Sequence, residues 1–176
     1  MRRFIPIIAL TGLASCVAPP PPAPRPAPPP AYIPPPPPQA APPLASDWRD
    51  WPVTPGEWAY RREGRGYVAS FGSVGADALL TLRCDPQAGQ MSLARRDVGG
   101  GPGAVTIRTT STQRTLMLQP GSGTPSVLTA AIMSRDPLLD AIAFSRGRFT
   151  LEQAGQAPLV IPVQAEIDRV IEDCRG

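Results

Sequence analysis

The sequence predicts an α+β domain that is mostly β, a small antiparallel β-sandwich or barrel-like body with two short helices. Three observations carry that expectation. Between Glu57 and Met133, short runs alternate apolar and polar residues, and Gly, Pro or Asp turns bound each run. Helical spacing takes over near the end of the chain, at about 137–145 and 164–175. Two cysteines of the same segment, Cys84 and Cys174, stand far apart and offer one cross-link.

The elements follow in order. Glu57 to Arg62 and Gly66 to Phe71 read as a hairpin around Glu63-Gly64-Arg65. ALLTLRC, Ala78 to Cys84, is an apolar strand. Asp85 to Gly89 turns the chain into QMSLARRD, where Met91 and Leu93 share a face. The loop VGGGPG, Val98 to Gly103, leads to a second hairpin, AVTIRTT with RTLMLQ, and PGSGTPS separates that from VLTAAIM. Taken in sequence, these strands read as a β-meander. Asp136-Pro137 then supplies an N-cap followed by proline at the first helical position. Leu138, Leu139, Ile142 and Ala143 continue at helical spacing until Gly147 stops them. RFTLEQAG and PLVIPV are two further strands around Gly155. In the closing QAEIDRVIEDCR, Ile167, Val170, Ile171 and Cys174 fall at i, i+3, i+4 and i+7, one face of a helix. Cys174 is thereby expected on the core side, with Arg169 near Glu172 or Asp173 on the wet face. In an oxidising compartment Cys84 and Cys174 read as a disulfide, which stabilises by roughly 2–4 kcal/mol. Two free thiols or a redox pair are the alternatives, although redox pairs usually lie close together, as in C-x-x-C.

Composition excludes several chemistries. All 17 basic side chains are arginine, and the chain has neither lysine nor histidine. Without histidine there is no triad base near neutral pH and no imidazole ligand for zinc. Without lysine an S-x-x-K arrangement cannot form, and VGGGPG lacks the Lys-Ser/Thr of a phosphate loop. No catalytic residue, metal or cofactor is expected, and the domain reads as no enzyme. Removal of Arg2 and Arg3 with the expected N-terminal leader takes the formal net charge from +3 to +1, which gives no case for nucleic acid.

Three groups remain as candidates. Trp48, Trp51 and Trp58 crowd DWRDWPVTPGEW, where exposed rings could stack on sugars or buried ones could plug a small β core. Arg61, Arg62 and Arg65 of RREGRG, with Arg95, Arg96, Arg146 and Arg148, could form an anion-binding face or a solvated mixed-charge surface. Asp136 and Asp140 could act as a carboxylate pair, although capping already accounts for Asp136.

The N-terminus carries an address. Met1-Arg2-Arg3 precedes an apolar run from Phe4 to Leu13, too short to span a bilayer as a helix, so 1–15 reads as a signal peptide. Arg2-Arg3 runs straight into Phe4, which favours the general secretory route. Leu13-Ala14-Ser15-Cys16 resembles the lipobox of bacterial lipoproteins. The resemblance implies cleavage before Cys16 and its lipidation, palmitate included. The mature chain would then be held in the membrane by several acyl chains. By the sorting pattern of such lipoproteins, Val17 in place of aspartate implies the outer membrane, facing the periplasm. Cleavage removes two of the positive charges. From 16 to 46 the chain is a Pro-rich linker, expected as an extended spacer or as a docking strip for a partner that reads Pro-rich segments. The globular domain occupies 47–176.

The stretch DPLLDAIAFSRGRFTLEQAGQAPLVIPVQAEIDRVIEDCR resembles the end of a group of uncharacterised alphaproteobacterial envelope proteins, the sphingomonads in particular. In layout the domain is also similar to the invasion-associated-locus-B type of secreted β-rich domain. Neither resemblance implies an activity. The expectation is a membrane-anchored envelope lipoprotein with a non-catalytic binding or structural role, its partner peptidoglycan or an envelope protein. A glycan- or anion-binding module is one alternative. An inhibitor of a periplasmic hydrolase, acting through a protruding Gly99–Gly103 loop, is a second, and a carboxylate-only enzyme a third.

Overall fold

The computed structural model describes residues 44–122 and 124–176. The expected signal peptide, the expected lipidation site Cys16 and the Pro-rich segment up to Pro43 lie outside the described residues. The strands are β1 Glu57–Glu63, β2 Gly66–Gly72, β3 Leu80–Asp85, β4 Gln90–Arg96, β5 Gly103–Arg108, β6 Gln113–Pro120, β7 Val127–Met133, β8 Arg148–Gln153 and β9 Leu159–Pro162. The helices are α1 Pro137–Ala143 and α2 Ala165–Arg175. The fold is α+β and mostly β, as the alternation predicts.

All nine strands form one antiparallel sheet, ordered β1-β2-β3-β4-β7-β6-β5-β8-β9 and not closed into a barrel. Register explains the alternation, because directly paired residues share a face. Tyr60, Ala69, Leu82, Leu93 and Ala130 make one inward row, and Tyr67, Cys84, Met91 and Ile132 the next. On the other half, Val105, Ile107, Leu118, Leu151, Phe149 and Ile161 join the same core as the first rows. The sheet therefore curls around a single interior. Its two edge strands are linked without a ladder: Trp58 Nε1 donates to Pro162 O at 2.8 Å. Just before β1, Thr54 N donates to Val160 O and Thr54 Oγ1 accepts from Val160 N, both at 2.9 Å.

The meander holds only for β1 to β4. β4 then pairs with β7, not β5, and β5 lies between β6 and β8. The reason is the inward row of β7: Leu128, Ala130 and Ile132 stand beside Arg95, Leu93 and Met91 and extend the hydrophobic face of β4. The loop after β4 carries the chain across to the far half. Asp97 Oδ1 accepts from the backbone N–H groups of Gly99, Gly100 and Gly101, and Gln153 Nε2 donates to Gly101 O. The Gly99–Gly103 segment is thus tied down at its start against the end of β8.

α2 packs its buried Ile167, Val170, Ile171 and Cys174 on β1 to β3, and a disulfide joins Cys174 to Cys84 across 90 residues of sequence. Arg169 does not pair with a neighbouring acid. It stacks over the Tyr60 ring at 4.3 Å, and the Tyr60 hydroxyl donates to Asp173 instead. α1 ends two residues earlier than expected because Ser145 is drawn out of the helix: its hydroxyl accepts from Thr110 N and donates to Arg148 O.

Asp136 caps α1 through Leu138 N at 2.8 Å and pairs with Arg114 Nη1 at 2.6 Å. The hydrogen bond from Arg114, helped by the Leu138 N–H, holds its carboxyl below the ordinary value of 3.8. A depressed folded pKa contributes stability above the ordinary value and loses it as pH falls through the folded one. Asp136→Ala should cost about 1–2 kcal/mol, the loss of a good N-cap. Asp136→Asn keeps a capping oxygen and loses the ion pair, so its deficit against wild type should shrink as pH drops below 3.8. Thermal unfolding across that range checks this, and a deficit independent of pH would refute it.

Candidate functional site

The residues singled out from the sequence are placed as follows. Trp48 is 6% exposed and Trp58 7% exposed. Trp58 packs against Phe71 with centroids 5.5 Å apart. Trp51 is half-buried and donates from Nε1 to Ala45 O at 2.6 Å. The three rings therefore present no shared exposed platform. Arg61 pairs with Glu63 at 2.9 Å, Arg62 lies over the Tyr67 ring at 5.8 Å, and Arg65 sits exposed in the turn after β1. Arg95 and Arg96 belong to the opposite end of the sheet, beside Leu80, Leu128 and Val127. Asp136 and Asp140 are each engaged by a different arginine, Arg114 and Arg175, at 2.6 and 2.7 Å.

Arg146 and Arg148 do meet further partners. The turn between β5 and β6 and the turn between α1 and β8 brace each other. Ser145 Oγ accepts from Thr110 N at 3.1 Å, and Arg146 N donates to Thr110 Oγ1 at 3.2 Å. Within the first turn, Thr109 Oγ1 accepts from Ser111 N and Thr112 N, which closes the loop on itself. In the second, Gly147 has φ of 79°, a left-handed conformation that suits glycine. Arg49 joins from a single 3₁₀ turn at Trp48–Asp50, capped by Asp47.

These elements enclose a depression of about 730 Å³ lined by Arg49, Thr110, Ser111, Phe144, Arg146, Gly147 and Arg148. Arg148 is half-buried and spends one N–H on Trp51 O at 2.8 Å, leaving the rest of its fork. Arg49 pairs loosely with Asp47 at 3.3 Å, both well exposed. Arg146 has no side-chain hydrogen bond or ion pair among the described residues. Phe144 is 73% exposed. Asp47 is held below its ordinary carboxylate value, first by the backbone N–H of Arg49, then by the charges of Arg49 and Arg108. Three guanidinium groups thus line one depression, and one of them, that of Arg49, is paired with Asp47.

No family model, curated protein or solved structure matches this chain. The cleft is therefore read from its own chemistry. Guanidinium groups keep their proton across the physiological range and match carboxylate or phosphate oxygens in a fork. They hold an anion and do not exchange protons with it. Arg146 and Arg148 stand out in the sequence as a close pair. Arg49, Thr110, Ser111 and Phe144 carry no local signal, and only the fold brings them in.

Proposed function

We propose that this domain is a non-catalytic binding module of the cell envelope, tethered to the outer membrane by lipidated Cys16, that holds an anionic ligand among Arg49, Arg146 and Arg148. The observation that carries this reading is the convergence of those three arginines on one braced cleft, with Arg146 unpartnered among the described residues. Like charges held together are costly, and an anion between them relieves that cost. Lipobox and Pro-rich linker support the tether.

The test is calorimetric titration of the full chain with pyrophosphate at low salt. Wild type should bind, and Arg146→Gln should weaken binding about tenfold, the worth of one charge-assisted hydrogen bond. Binding should also weaken as salt rises. Equal affinity in the variant would sink the anion-binding reading. An acyl mass on the N-terminal Cys16 peptide, from protein purified out of membranes, is the matching check on the tether.

A further inference from the structure

We propose that the anion is carried on a sugar, so that the cleft takes a carboxylated or phosphorylated saccharide with its ring on Phe144 and its acidic group among Arg49, Arg146 and Arg148. This rests on the anion-binding reading above and narrows the ligand class.

The lining decides between ligands. A free inorganic anion would gain nothing from a ring that is 73% exposed beside the arginines. An acyl chain needs a continuous apolar wall, but apart from Phe144 the depression is lined by Arg, Thr, Ser and Gly. A single aromatic face among polar groups suits the C–H face of a sugar, which meets the negative face of the ring while its hydroxyls stay hydrogen-bonded. Thr110 and Ser111 supply hydroxyls on a turn fixed by its own hydrogen bonds. At about 730 Å³ the space lies within the range of small-ligand pockets, which run from roughly 300 to 1,000 Å³. Phe144 leaves the end of α1, and Ser145 and Gly147 fix the chain beyond it, so the ring and the guanidinium groups of Arg146 and Arg148 follow one braced turn, with Arg49 added from its own 3₁₀ turn.

Two variants and three probes test this on the full chain by calorimetry: trigalacturonate, glucose 6-phosphate and pyrophosphate. For whichever saccharide binds, Phe144→Ala should weaken affinity about tenfold while leaving pyrophosphate affinity unchanged, and Arg146→Gln should weaken both. Dependence on Phe144 with trigalacturonate assigns a carboxylated sugar, and with glucose 6-phosphate a phosphorylated one. If pyrophosphate binds through Arg146 and Phe144→Ala alters neither saccharide, the saccharide proposal falls while the anion reading stands. If no probe binds, both fall. Phe144 is exposed, so its truncation leaves the core untouched and the comparison intact.

Discussion

Replacing Cys84 and Cys174 together by alanine is expected to lower the unfolding free energy by about 2–5 kcal/mol. The bond closes 90 residues of sequence, so its loss mainly frees the unfolded chain. The folded state keeps other holds on α2. Ile167, Val170 and Ile171 remain in the core, Tyr60 still donates to Asp173, and Arg175 still reaches Ser134 O at 2.9 Å and Asp140 at 2.7 Å. The variant should therefore fold with native secondary structure and unfold at lower urea. Reduced wild type should follow the same curve. A loss below about 1 kcal/mol would mean that the packing of α2, not the cross-link, secures the C-terminus.

Arg95→Ala is expected to cost about 2–4 kcal/mol. Arg95 lies on the inward face between Leu80 and Leu128 and is 2% exposed. Its guanidinium crosses to the other half of the sheet, where Nη2 donates to Ala157 O at 2.8 Å and Nη1 to Leu151 O at 3.4 Å. No carboxylate faces it among the described residues, and burial pushes its pKa below the usual guanidinium range. A buried charge answered only by carbonyl dipoles is itself expensive. Alanine removes the stem and takes the guanidinium donor away from both carbonyls. Methionine keeps an apolar stem and removes the charge, so Arg95→Met should lose clearly less than Arg95→Ala. Urea unfolding of the two variants decides. If both match wild type, Arg95 is no strut between the halves of the sheet.

Arg95 also shows where the sequence stops being readable. In QMSLARRD the alternation of Met91 and Leu93 locates β4, and the next inward position is an arginine, which no period reveals as buried. The nine strands and two helices were legible to within a few residues, since turn residues and alternation are local, but the 3₁₀ turn at Trp48–Asp50 was not. Partners were not, because Val105 and Ile107 of β5 offer β4 much the same inward pattern as Ala130 and Ile132 of β7. The choice depends on a whole row closing over the core. The Cys84–Cys174 bond was legible because the helical face of Ile167, Val170 and Ile171 puts Cys174 inward and the strand pattern puts Cys84 inward. Of the cleft, only Arg146 and Arg148 were legible as candidates. Arg146 and Arg148 stand two apart in sequence, whereas Arg49 reaches them only because the segment before β1 runs beside β8 and β9, with Arg148 bound to Trp51 O.

That segment also sets how a mechanical load would enter the domain. A pull on the N-terminal side meets Arg148 at Trp51 O, then Val160 at Thr54, then Pro162 at Trp58 Nε1, all belonging to the last hairpin. Force arriving at one end of the chain is thus handed to strands near the other, without passing through β2 to β7. Beyond them it meets α2, whose covalent link to β3 keeps the intervening 90 residues, about 300 Å of extended contour, out of reach of any stretch. A domain held this way gives ground in β1 and β2, which precede Cys84, and retains β4 to β9 inside a closed loop.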